Sequence, residues 1–143
     1  MKVLFVYTNI NGFHEDGYAD GIAIMMAVTK KAGHDIRYLR IFEKDKYFLV
    51  DEAVKEFKPD VVGFTSVSSQ FSAVTDLSAI VKKISPKIIN VCGGVHPTLY
   101  PACILENKNL DLVFIGDSEY AFLNFYLQQC ILDTKLDERL HKY

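Results

Sequence analysis

The chain opens on an uninterrupted apolar run, Val3-Leu4-Phe5-Val6-Tyr7, followed by a polar stretch containing Gly12 and Gly17. A short run rich in β-formers predicts a strand buried on both faces. The period then changes. From Ala19 to Ala32, Ile22, Met25, Met26 and Thr29 fall at helical spacing. Asp20 lies in the first turn, Lys30-Lys31 in the last and Gly33 just beyond, the placement that helix ends prefer. Ile36 to Phe42 alternates and predicts a second strand, near a sheet edge. Asp51 to Phe57 predicts a short helix, Val54 and Phe57 inward, that stops before Pro59. Val61 to Phe64 predicts the third strand, and Val74, Leu77, Val81 and Ile84 mark a helix ended by Pro86. Ile88 to Cys92 and Leu112 to Ile115 predict the fourth and fifth strands, and Glu119 to about Leu132 the final helix.

Short apolar strands alternating with amphipathic helices imply parallel βαβ units with right-handed crossovers. Five of them in 143 residues predict one α/β domain. Its expected core is a doubly wound five-stranded parallel sheet, flavodoxin-like or Rossmann-like, in the order 2-1-3-4-5. The domain is expected over residues 1–132, with a polar tail, 133–143, leading towards a catalytic domain outside this chain. Sixteen basic against 18 acidic side chains leave a formal charge of −2, no excess for phosphate backbones, so nucleic acid is not an expected partner. The longest apolar run, Ile22 to Val28, is too short to cross a bilayer. No secretory signal follows Met1-Lys2, so no membrane partner is expected and the expected location is cytoplasmic. Cys92, Cys103 and Cys130 are odd in number and lack C-x-x-C spacing, which fits reduced thiols.

In an open parallel sheet, ligands bind beyond the carboxyl ends of the strands, at the topological switch. Four loops meet there: Thr8 to Tyr18, Thr65 to Gln70, Cys92 to Pro97 and Gly116 to Glu119. The first is long for a βα connection, which takes about two to six residues. The loop after strand four reads Gly93-Gly94-Val95-His96-Pro97-Thr98. Paired glycines either admit a bulky ligand against bare backbone or make a tight turn that needs positive φ.

Five segments carry a resemblance: Gly21-Ile22 at a helix start; Ala32-Gly33-His34-Asp35; Pro59-Asp60-Val61-Val62-Gly63-Phe64; Cys92 to Thr98; and Asp111 to Glu119. In this order and spacing they resemble the cobalamin-binding domain at the N-terminus of many radical S-adenosylmethionine enzymes, over about Met1 to Leu127. The resemblance implies a corrin ring over the carboxyl ends of the strands and a nucleotide tail beside strands one, three and four. It makes Asn9, Gly12, His14, Gly17, Thr65, Ser66, Val67, Ser69, Gly93, Gly94, His96, Gly116 and Glu119 the candidate cofactor contacts. Gly93 and Gly94 are assigned to the tail's passage, and Thr65 to Ser69 to a polar loop facing it. It also implies a radical S-adenosylmethionine catalytic domain as partner, which would hold the iron–sulfur cluster and S-adenosylmethionine. The parent protein would be a methyltransferase or an anaerobic magnesium-protoporphyrin ester cyclase.

The departures sharpen these expectations. Carriers that ligate cobalt through histidine use Asp-x-His-x-x-Gly after strand one. This chain has Gly12-Phe13-His14-Glu15-Asp16-Gly17. His14 is the candidate metal ligand, but Gly12 removes the carboxylate that would hold the second ring nitrogen, so the expected arrangement has no histidine on cobalt. Ser118 stands where the family has glycine, and Glu119 sits where a helix dipole favours a carboxylate. His34, in a helix-to-strand turn, is read as structural; His96 serves the turn or touches ligand. No C-x-x-x-C-x-x-C is present, so the chain alone is not expected to catalyse. Two other functions stay open: a degenerate domain used for docking, and an FMN protein, for which Thr8-Asn9-Ile10-Asn11-Gly12 is a poor phosphate loop. In the last helix, Phe122, Phe125 and Tyr126 form one apolar stripe and Leu123, Leu127, Cys130 and Ile131 a second. A surface helix buries one stripe about 100° wide, so two stripes predict a homodimer interface or cover by the tail.

Overall fold

The computed structural model describes residues 1–10, 12 and 20–125. Their elements are β1 (Lys2–Thr8), α1 (Asp20–Lys31), β2 (Asp35–Ile41), α2 (Phe48–Phe57), β3 (Val61–Thr65), α3 (Phe71–Ile84), β4 (Ile89–Gly93), α4 (Val95–Leu99), α5 (Cys103–Glu106) and β5 (Leu112–Val113). Residues 119–125 are helical and are called α6. All five strands run parallel in the order β2-β1-β3-β4-β5, the expected doubly wound sheet. The chain leaves β1 for one edge and returns to its other side as β3, which puts the topological switch between these two strands.

Successive strand residues point to opposite faces. Leu4, Val6, Val62, Phe64 and Cys92 pack against Val50 and Val54 of α2 and Val74, Leu77 and Val81 of α3. Val3, Phe5, Val61 and Val91 pack on the other side with Ile22 of α1 and Phe122 of α6. Phe125 rests half-buried on that second cluster, so the two described residues of the first stripe face the sheet.

The differences from expectation lie at element ends and in short elements. α2 begins at Phe48 rather than Asp51, after a 3-10 turn at Lys44–Lys46, and β2 ends at Ile41 rather than Phe42. α4 and α5 were not foreseen, because one-turn helices are too short to show a period. Pro97 is the third residue of α4, in the first turn, where a missing N–H leaves no helical bond unmade. β5 stops at Val113 rather than Ile115. One further bond, Phe114 N–H to the Cys92 carbonyl at 2.8 Å, follows it. The chain then turns away at Gly116, whose φ is +67°. Cys92 and Cys103 are buried free thiols. His14, Gly17, Tyr126, Leu127, Cys130, Ile131 and the tail 133–143 lie outside the described residues. Among the described residues no helix is long and apolar enough to cross a membrane.

Candidate functional site

The loops at the carboxyl edge are tied together by backbone. Ser66 N–H donates to the Gly93 carbonyl at 3.0 Å, and the Ser66 carbonyl accepts from His96 N–H at 2.9 Å. The Ser66 hydroxyl donates to the Val67 carbonyl at 2.8 Å. Gly94, between them, has φ 99° and ψ −168°, a conformation open essentially only to glycine. A Cβ there would lie 2.8 Å from the Ser66 carbonyl oxygen, 2.8 Å from Thr65 Oγ1 and 3.0 Å from Ser66 N. Gly94 therefore serves the protein's own crossing of two loops. Gly93 differs: a Cβ on it would meet only Phe114 Cβ, at 3.9 Å, so its bare side is open.

The loop after β1 is pinned by Gln70, which is 7% exposed. Its Oε1 accepts from Ile10 N–H at 2.7 Å and its Nε2 donates to the Ile10 carbonyl at 3.1 Å. At Gly12 a Cβ would fall 1.5 Å from Asn9 Oδ1. The Asn9 carboxamide lies against the bare side of Gly12. His96 packs against the segment that leads into α3: its Nδ1 is 3.1 Å from Ser68 Oγ and its ring 4.2 Å from that of Phe71. Its Nε2 is buried with no hydrogen-bond partner.

A cavity of ≈ 170 Å³ opens at the carboxyl end, on the α1 and α6 side of the sheet. Its sheet wall holds Phe5, Gly63, Thr65, Val91 and Gly93; Ile22, Met25, Phe114 and Phe122 oppose them, and Gly116 to Glu119 lie beyond. Phe5, Gly63 and Val91 are register partners across β1, β3 and β4. A Cβ on Gly63 would stand 3.2 Å from Phe5 Cδ1, so the glycine leaves room that the phenylalanine ring leans towards. Of the expected contacts, Thr65, Gly93, Gly94, Gly116 and Glu119 line the cavity; Asn9, Gly12, Ser66, Val67, Ser69 and His96 do not. Phe5, Gly63, Val91, Phe114 and Phe122 were missed. The available signal was Gly63, a glycine inside a buried strand, which often marks close approach of a ligand or backbone.

Burial pushes the Cys92 thiol up to about 12, with Cys103 adding to the shift, so at neutral pH it offers no thiolate to a metal. Among the described residues no three His, Cys, Asp or Glu side chains gather into a metal cage. Small-molecule pockets commonly span about 300–1,000 Å³. This cavity is smaller, with walls mostly of aromatic and aliphatic carbon.

Residues 9–125 match the B12 binding domain family. The chain belongs to that family. This B12 binding domain is 30% identical over 146 residues to the cytidylyl-2-hydroxyethylphosphonate methyltransferase of Streptomyces wedmorensis, covering 86% of this chain and 27% of the relative. It is 28% identical over 134 residues to the anaerobic magnesium-protoporphyrin IX monomethyl ester cyclase of Rubrivivax gelatinosus, covering 87% and 24%. The chain thus spans about a quarter of the length of these curated relatives. Its fold matches the radical S-adenosylmethionine methyltransferase TsrM of Kitasatospora setae with a TM-score of 0.72 at 15% identity, over 95% of this chain and 26% of that one. The cavity and the open side of Gly93 fit the family's ligand, a broad ring bearing a tail that ends in an aromatic base.

Proposed function

We propose that this domain holds cobalamin, with the corrin ring over the carboxyl ends of the strands and the nucleotide tail entering the cavity between α1 and α6. The observation that carries this is the cavity itself: apolar, fragment-sized, and open beside the bare backbone of Gly93 in a chain of the B12 binding family. In this reading Gly93 gives the tail its passage and Thr65 offers a hydroxyl beside it. Val67 and Val95, 47% and 54% exposed, offer apolar cover to the ring. Gly12 supports an arrangement without a histidine on cobalt, because it offers His14 no orienting carboxylate. Bound cobalamin supplies cobalt–carbon chemistry, including methyl transfer. The domain serves that chemistry within a longer radical S-adenosylmethionine protein, a methyltransferase or cyclase, whose catalytic domain holds the iron–sulfur cluster. The names and lengths of its relatives support this.

Calorimetry with hydroxocobalamin tests the reading. Saturable heat and corrinoid retained through gel filtration are expected, and His14→Ala should leave the cob(II)alamin resonance spectrum unchanged. No heat and no retained corrinoid at high protein concentration would remove cofactor binding and leave a docking module. Loss of nitrogen hyperfine coupling in His14→Ala would put histidine on cobalt.

A further inference from the structure

We propose that the cavity selects the base at the end of the cofactor's tail, taking a benzimidazole-type base in preference to a purine; this rests on the cobalamin reading above. The selectivity follows from where carbon and polar atoms lie. Thr65 and Gly93 form one level of the sheet wall, and Phe5, Gly63 and Val91 lie two residues deeper along their strands, about 7 Å further from the carboxyl edge. At the deeper level the side chains are hydrocarbon, and Gly63 presents backbone whose amides belong to the sheet ladder. Ile22 and Phe122 close the space opposite with carbon, and Met25 adds a thioether, a weak acceptor at most. The polar lining side chains are Thr65 and, in the segment after β5, Asp117, Ser118 and Glu119, and the Ser118 hydroxyl already donates to the Gly116 carbonyl at 2.8 Å.

Aromatic rings that pack on one another make part of this carbon wall. Phe5 and Phe122 stand 5.9 Å apart between centroids, and Phe114 meets Phe122 edge-on at 5.5 Å and 70°, spacings at which aromatic groups attract. A base joined to its ribose through the five-membered ring enters with its six-membered ring leading. In dimethylbenzimidazole that leading edge is carbon and two methyl groups. In adenine it is an exocyclic amine and ring nitrogens, which at the Gly63 level would lose water and gain no partner. One or two such unpaired groups are enough for a preference of about tenfold or more.

Titration of the chain with three corrinoids tests this: cobalamin, the adenine-bearing cobamide, and cobinamide, which has no base. Cobalamin is expected to bind at least about tenfold tighter than the adenine form. Met25→Phe, on the half-buried face of α1, and Gly63→Val should each bring cobalamin down to the affinity of cobinamide while leaving cobinamide unchanged, which shows that the fold and ring site persist. Met25→Gln, which places an amide in the cavity, should narrow the preference. Equal affinity for cobalamin and the adenine form overturns the selectivity while the cofactor reading stands. Cobinamide binding as tightly as cobalamin leaves corrinoid binding standing but takes the tail out of the cavity, and overturns both that placement and the selectivity. Failure of all three ligands overturns the cofactor reading as well.

Discussion

Towards α2 and α3 the sheet presents Leu4, Val6, Val62, Phe64 and Cys92, and branched side chains from both helices fill the space above them. Towards α1 and α6 it presents Val3, Phe5, Val61, Gly63 and Val91, and the space above the glycine stays open as the cavity. The same strands make both faces, and one register position, occupied by glycine in β3, creates the difference. Close packing of the first face carries most of the burial energy, at about 25 cal/mol per Å² of apolar surface. The second face can then keep a hole. Division of labour between the faces lets a small domain stay folded while holding space for a ligand.

The largest effect expected from this division belongs to the filled face. Leu77 is 0% exposed among Val74, Val81 and the sheet. Leu77→Ala should cost about 2–5 kcal/mol of stability, read by urea unfolding, while the folded fraction binds corrinoid with unaltered affinity. Affinity that falls in step with stability would show the faces to be coupled.

The glycine pair separates stability from binding within two residues. Gly94→Val should destabilise by about 3 kcal/mol or more, since it strains the backbone and drives a side chain into Ser66. Gly93→Val meets no such obstacle and should stay within about 1 kcal/mol of wild type while weakening cobalamin at least about tenfold. If Gly93→Val binds normally, the open side of β4 is not the tail's path.

This contrast also marks how far the sequence could be read. Strand order, edge position of β2 and the inward faces of α2 and α3 followed from periodicity, because filled faces repeat their apolar residues at fixed intervals. The Gly93-Gly94 pair was visible, but not its division of roles, which depends on where the loop after β3 crosses. The cavity wall was less visible still. Phe5, Val91 and Phe122 look like ordinary core residues, and only the cavity that opens beside Gly63 sets them apart. Short elements such as α4 and α5 left no period to read.

The smallest effect is read by pH, at the end of the sheet opposite the cavity. His34 lies in the turn from α1 to β2, at the amino end of the strands, with its Nδ1 3.4 Å from the Met1 ammonium. Burial, and then the charge of that ammonium, holds its pKa below the ordinary 6.5. The folded protein therefore binds this proton less readily than the unfolded chain. Well above pH 6.5 neither state is protonated there and His34 contributes no pH dependence. As pH falls below that value, the unfolded chain takes up the proton first and stability declines. The decline ends once the pH has passed below the folded-state pKa. His34→Gln should flatten this acid-side slope in denaturation curves between about pH 7 and 5, and Leu77→Ala should shift the curve down without changing it. An unchanged slope in His34→Gln would move the acid sensitivity to other groups.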